Sequence, residues 1–472
     1  MIGIRGFVGQ DDPRMEVLRD GALAEDAACV MLWVQRAQRA RANPAANVAV
    51  EIAGELGLPV VAVFCLVPAY PGATLRAYHF MAEGLRSLPD AFAARGIGWK
   101  LVVGEAEDEL PEAARSLAAA AIVTDANPLR IGRQWRAAVA ERLQIPMLQV
   151  ESDAVVPPAL FPKVEHAPRT IRPRLQKQFD RYLAHIPDPP AQVASPIREG
   201  EDPLDVIRTF DINTAVGPAP DLRGGSSIAR QRLATFVADR LARYDQDRNR
   251  ADIQAGTSLS PWLHYGQIGP TEMAIAVQEA DAPQAARNSL IDELITQREL
   301  AINLVLRNPD YDRYEGLPEW GRATLERHAG DPRPVTFTRE EFERAETDDP
   351  LWNASMLQMI HEGIMPNRLR MYWAKQILRW SASPREAWEI AVSLNDTYFV
   401  DGRDANSYAN LGWCIGGRHD RPFGPEKPIF GLVRPMGMAA MKRTFDVDAY
   451  IRKIHDRWGA PAGGVEQQSL DL

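Results

Sequence analysis

Cysteine is scarce in this 472-residue chain: Cys29, Cys65 and Cys414 lie far apart and form no CxxC pair. A disulfide framework and a four-cysteine iron–sulfur cluster are both excluded by that count. No run of about 18 apolar residues occurs, so no membrane span is expected. The opening MIGIRGFVGQDDPRMEV lacks an apolar stretch followed by a cleavage site, so it does not read as a secretory signal, and the cytoplasm is the expected location. No GxGxxG opens the first helix, so the dinucleotide fingerprint is missing and a plain flavin oxidoreductase, which would draw on a nicotinamide, is disfavoured. Positive charge is not in excess either. With 54 Lys and Arg against 63 Asp and Glu, the net charge is −9, and nucleic-acid binding would depend on local patches. Asp401 and Asp404 are three apart but have no further His, Cys or acidic shell, so no metal is expected. No internal repeat is found.

What is present divides the chain. Residues 1–28 read as an N-terminal extension. From 29 to 155, short β-rich runs alternate with helical ones: strands at Val30–Val34, Val60–Leu66, Trp99–Val103, Ala121–Asp125 and Met147–Glu151, with helices near 44–56, 74–88, 108–120 and 131–143. Such alternation predicts a parallel, doubly wound, Rossmann-like α/β domain. Residues 156–226 combine a basic segment with a long linker rich in Pro, Asp, Gly and Ser. From 227 to 458 apolar positions recur at three and four, as in ARQRLATFVADRLARY, which predicts an all-α C-terminal domain. The tail, 459–472, reads as disordered.

The tryptophans of the block from Trp352 to Trp413 are the strongest feature. Trp373 and Trp380 are seven apart in a helix-favouring run, two turns on one face and roughly 10 Å of rise. Trp352 sits 21 residues upstream of Trp373, a distance that suits a neighbouring helix. Converging indoles followed by a polar loop suggest electron traffic to a buried cofactor; core packing explains the same spacing. In GTSLS (256–260), ahead of Pro261, Ser260 precedes a proline suited to the first turn of a helix. Exposed N–H groups with the Thr257, Ser258 and Ser260 hydroxyls suit a pair of phosphates, and helix capping is the simpler alternative. The segment KVEHAPRTIRPRLQKQFDR (163–181) is a basic patch containing Arg172 and Arg174, readable as a solvated helix face or as a DNA-facing one.

The segments SLSPWLHYGQIG (258–269), DELITQREL (292–300), DPLWNA (349–354), RMYWAK (370–375), DGRD (401–404) and KRTFDVDAYI (442–451) occur in this order. The series resembles the class II cyclobutane pyrimidine dimer photolyases of the cryptochrome/photolyase family, over roughly residues 30–455 and most densely between 244 and 451. The resemblance implies that the helical domain binds non-covalent, reduced flavin adenine dinucleotide (FAD). It implies that Tyr244, Thr257, Ser258, Leu259 and Ser260 meet the pyrophosphate, and that Asp401 and Asp404 meet the flavin and adenine. Asn395 would face flavin N5, and Arg370 and Asp420 would form an ion pair near the isoalloxazine. Trp373, Trp352 and Trp380, in that order outward from the flavin, would form the photoreduction chain. Trp262, Trp320 and Trp388 are left as core. Glu293 would hydrogen-bond the damaged bases and Trp413 would stack on the extruded dimer. Arg248 and Arg421 would touch DNA phosphates, with Arg172 and Arg174 joining the DNA-facing surface.

The expectation is therefore light-driven repair of cyclobutane pyrimidine dimers in DNA by a monomeric enzyme. A deazaflavin or folate antenna in the α/β domain is compatible with the resemblance. The alternative is a cryptochrome-like FAD photoreceptor without repair. Gln297, Pro366 and Asn367 depart from the family pattern beside the lesion, as Ala42 and Pro44 do near the antenna pocket.

Overall fold

The computed structural model describes residues 4–6, 12–24 and 26–460. Seven strands form one sheet: β1 (Met15–Arg19), β2 (Cys29–Val34), β3 (Val60–Leu66), β4 (Gly98–Val103), β5 (Ala119–Asp125), β6 (Met147–Val150) and β7 (Arg198–Glu199). Their order is β1-β6-β5-β2-β3-β4-β7, with β1 antiparallel to β6 and every other pair parallel. All residues of β2, β3 and β5 are buried, as in a parallel sheet covered by helices on both faces. Alternate side chains of β2 serve the two layers. Val30, Leu32 and Val34 pack with the Pro44–Leu56 helix, whereas Met31 and Trp33 pack with Leu110 and Val139 from the opposite side.

Local chemistry fixes the first helix. Asn43 accepts a hydrogen bond from Ala46 N, Pro44 occupies the first turn, and Gly57 ends the helix at φ 67°. The expected helix at 74–88 is instead Leu75–Leu85 followed by Leu88–Ala93. Two segments differ more sharply from the sequence reading. The segment expected to be an extension supplies β1, and the linker supplies β7. Both are edge strands, short and half-exposed or exposed, with too little apolar alternation to read as sheet. Residues 461–472 of the expected disordered tail lie outside the described residues.

From Ser226–Asp239 to Val447–Trp458 the chain is helical, and no helix among the described residues is long and apolar enough to cross a membrane. One buried arginine ties the two halves together. Arg76, in the Leu75–Leu85 helix, donates to the Met359 and Tyr398 carbonyls at 3.1 and 2.8 Å. These are last-turn carbonyls of the Pro350–Glu362 and Pro384–Tyr398 helices, where orphan acceptors and the helix dipole favour a cation. A second tie is ionic: Asp153, just past β6, accepts from Arg298 at 2.6 Å and also from Arg36, which itself reaches Asp404 at 2.6 Å.

The sheet order reverses direction at β2, which lies between β5 and β3, and a crevice opens beyond the strand ends there, as expected at a topological switch point. Trp33, Tyr70, Tyr78 and Trp135 line it, with Arg36 and His264 at its inner wall.

Candidate functional site

The principal cleft lies mainly in the helical half, with Arg36 of the sheet half on its wall, and five segments bring most of the residues considered. The Tyr244–Asp247 turn brings Tyr244 and, just beyond it, Arg248. The 256–260 loop brings Gly256, Thr257, Ser258 and Ser260, with Ser258 in the left-handed region at φ 54°. Leu259 differs from its neighbours: its side chain is fully buried in the hydrophobic core, so only its backbone is left to meet a ligand. The hydroxyl of Thr257 is tied back to Leu259 N at 3.3 Å, an internal turn that fixes the loop's shape.

Glu293 stands on a π-helical turn, Asp292–Gln297, inserted between the Gln284–Ile291 and Arg298–Arg307 helices. A π turn carries one extra residue and recurs at functional sites, and nothing in the residue types of DELITQ announces it. Burial raises the Glu293 carboxyl above its ordinary range, and the Arg248 guanidinium, which donates to Glu293 Oε1, works against that rise. Gln297, Pro366 and Asn367, the three departures from the family pattern, all line the same cleft.

The Asn367–Trp380 helix carries the central side chains. Arg370 lines the cleft, sits 3.7 Å above the Phe399 ring and donates to Asp401 Oδ1 at 2.9 Å, while its Nε has no partner. The expected Arg370–Asp420 pair is not formed. Asp420 lies past the glycine end of the Ala405–Gly416 helix and meets Arg434 at 3.4 Å, whereas the DGRD loop folds Asp401 onto Arg370. Asp404 caps that helix by accepting from Asn406 N, and it also contacts Arg36 and, at 3.1 Å, His264. Burial alone would raise the Asp404 carboxyl; Arg36 and His264 outweigh it and hold it well below its ordinary value. Asn395 is fully buried, donates to Asp396 at 2.8 Å and leaves its own Oδ1 unpaired.

The three tryptophans converge. Trp352 is placed by Asp349, which accepts from the Leu351 and Trp352 N–H groups at 3.0 Å each and so starts the Pro350–Glu362 helix. Its ring lies 6.4 Å from that of Trp373, nearly parallel at 10°, and 6.1 Å from that of Trp380, edge-on at 75°. Trp352 Nε1 donates to the Trp373 carbonyl at 3.0 Å, which locks the stacked pair. Trp352 and Trp373 are fully buried and Trp380 is 6% exposed; Trp373 and Trp380 share the Asn367–Trp380 helix, and Trp352, from the Pro350–Glu362 helix, lies against both. Trp262 and Trp388 are core residues.

Trp413 lines the same cleft as Glu293. Arg172 and Arg174 are engaged within the chain, Arg172 with Asp292 at 2.6 and 2.9 Å and Arg174 with Glu165 and the Phe161 ring. Arg421 is exposed, on the loop that follows Trp413's helix. Sequence reasoning missed Arg36, His264 and His419. Arg36 and His264 come from distant segments and separate the cleft from the crevice of the α/β half. His419 lines the cleft at φ 62°; burial, with Arg418 and His166 adding to it, pushes its imidazole down to about 3, so it is neutral. Its position in GGRHDR, directly after the Trp413 helix, was the available signal. No metal-ligating cluster occurs among the described residues.

A doubly wound α/β half joined to a helical half, with a buried indole cluster that reaches the cleft-lining Arg370 through Phe399, describes the class of molecule. Residues 30–192 match the DNA photolyase family model. The chain is 35% identical to the deoxyribodipyrimidine photo-lyase of Potorous tridactylus over 448 residues, covering 93% of this chain and 83% of that protein. It is 36% identical over 430 residues to the deoxyribodipyrimidine photo-lyase of Methanothermobacter thermautotrophicus, 90% of this chain and 94% of the relative. In fold it is similar to the archaeal photolyase from Sulfolobus tokodaii, solved with two FAD molecules, at a TM-score of 0.68 and 17% identity, covering 92% and 96% of the two chains. The chain belongs to the DNA photolyase family.

Proposed function

We propose that the protein is a light-dependent deoxyribodipyrimidine photo-lyase of class II, repairing cyclobutane pyrimidine dimers in DNA with FAD held in the helical cleft. The observation that carries this reading is the indole chain. It ends on the same helix whose Arg370 lines a cleft that also holds Glu293 and Trp413. The residues present fit a flavin dinucleotide: a hydroxyl-lined loop for phosphates, an unpaired guanidinium nitrogen on Arg370, and an unpaired amide oxygen on Asn395. Reduced FAD, when bound and excited by near-UV or blue light, supplies the electron that opens the cyclobutane ring and takes it back. The chain supplies the rest.

Arg370 favours negative charge on the flavin ring, because its guanidinium is held in a buried site where Coulomb attraction is weakly screened. Asn395, fully buried and not among the residues that line the cleft, is assigned to flavin N5 by the family resemblance, and its amide cannot deliver a proton as an acid would. Glu293, which burial favours in its neutral form and Arg248 in its ionised one, would donate a hydrogen bond to a base carbonyl when protonated, as negative charge develops there. Trp413 supplies a π face for the two linked pyrimidines of one strand once they are taken out of the stack. Thr257, Ser258 and Ser260 hold phosphates, and Arg248 and Arg421 meet the DNA backbone. The crevice beside β2, with its aromatic lining, is the antenna site in this reading, with a deazaflavin or a folate as its ligand.

Anaerobic repair of a dimer-containing oligonucleotide by the chemically reduced protein, in light and in dark, tests the reading. Light-only restoration of intact pyrimidines supports it; photoreducible FAD with no repair moves the protein to the photoreceptor class. Glu293→Gln is expected to lower the repair yield several-fold with unchanged FAD loading, measured as dimers repaired per absorbed photon and as flavin absorbance per protein. An unchanged yield removes Glu293 from the chemistry.

A further inference from the structure

Lys375 is fully buried, yet it makes no ion pair. It lies on the Asn367–Trp380 helix, two residues past Trp373, and so points away from the indole chain. Its Nζ stands 4.7 Å from the centroid of the Trp413 ring and 3.5 Å from the Trp413 carbonyl oxygen. The other charged or titratable groups that face it are Cys414 from the Ala405–Gly416 helix and Asp420 and Arg434 from the segment after it, with Arg370 on its own helix acting on Cys414. A buried ammonium without a carboxylate is an expensive element for a core, and an apolar residue of similar length would pack there at lower cost. What the ammonium does make is a desolvated contact with the π face of a tryptophan, the setting in which that attraction is strongest.

We propose that Lys375 is a positioning residue for lesion recognition: its ammonium, behind the Trp413 indole, holds that ring as a fixed platform for the extruded dimer. The inference rests on the photolyase reading of the cleft. The contact exists only while Lys375 is protonated, since the neutral amine loses its attraction for the ring. Burial pushes the Lys375 ammonium down to about 8, with Cys414 and Asp420 opposing and Arg434 assisting. Binding of dimer-containing DNA therefore weakens as pH rises from 7 to 9. Among the groups facing Trp413 from behind, Lys375 is the one whose charge changes in that window, because burial raises the Cys414 thiol to about 12.

The test is the affinity of the holoprotein for a dimer-containing duplex relative to the undamaged duplex, at pH 7, 8 and 9. It is measured on wild type, Lys375→Arg and Lys375→Gln. Wild type should lose about tenfold of its preference between pH 7 and 9. Lys375→Arg, whose charge persists, should hold its preference across the range, and Lys375→Gln should be uniformly low while its FAD absorbance and photoreduction stay at wild-type levels. A wild-type preference that is flat with pH, or a Lys375→Gln protein with full preference, overturns the proposal. If Lys375→Gln fails to fold, the contrast between wild type and Lys375→Arg decides the question. Absence of any lesion preference in wild type at pH 7 is a different result, which removes the photolyase reading and this inference with it.

Discussion

Trp373→Phe protein is expected to bind FAD as wild type does and to lose its light-driven flavin reduction, by on the order of tenfold or more, equivalent to at least about 1.4 kcal/mol of barrier. Chemically reduced Trp373→Phe protein should repair as before if, as we propose, the indole chain supplies electrons for activation and not for the repair cycle. The physical reason is that phenyl is far harder to oxidise than indole, while it still fills most of the space between Trp352 and Phe399, each 6.4 Å away. Trp352→Phe interrupts the same chain one step further out, since Trp352 is the ring in contact with both of the others. Trp388→Phe is the control. That ring is core and donates to the Asp312 carbonyl, outside the chain, so photoreduction should be unchanged. The measurement is the rate of flavin bleaching under blue light with an external reductant. Equal loss of repair in photoreduced and chemically reduced Trp373→Phe protein would contradict the assignment.

Arg370→Met is expected to cost the protein both its flavin and its stability. Asp401 loses its charged partner within a buried site, a change worth about 3–5 kcal/mol where one half of a buried pair is removed. The melting temperature of the apoprotein should fall by several degrees. Adding Asp401→Asn to Arg370→Met should recover most of that loss, because the stranded carboxylate is gone, but it should not recover FAD loading. That split separates the two roles of the arginine. If the double variant regains flavin along with stability, Arg370 acts only as a partner for Asp401. Asp420→Asn, by contrast, should leave both quantities close to wild type, because Asp420 meets Arg434 on a partly exposed segment.

Much of the architecture was legible before any coordinates. The apolar run VVAVFCL reads as a strand buried on both faces and forms one, whereas the strand read at Ala121–Asp125 begins two residues earlier, at Ala119, in what reads as the end of a helix. The edge strands were not legible. β1 and β7 draw their stability from a neighbour already in place, so their own residues carry little signal. The π turn bearing Glu293 has the same explanation, since its extra residue is accommodated by packing between helices and not by residue type.

The site divides in the same way. Residue types and spacing supplied part of the inventory: the oxidisable indoles, a hydroxyl-rich loop before a proline and a DGRD loop, whereas Glu293 entered only through the family resemblance. The loops are read locally because each is one stretch of chain; the indoles are not, since Trp352 stands on the Pro350–Glu362 helix and Trp373 and Trp380 on the Asn367–Trp380 helix. Which groups pair was decided by tertiary structure alone. Arg370 takes Asp401 and not Asp420, Arg36 crosses from the sheet half to Asp404, and Lys375 sits unpaired behind Trp413. A charged side chain selects the partner that packing brings within a few ångströms while excluding water, and that distance is set by how helices far apart in sequence close on one another.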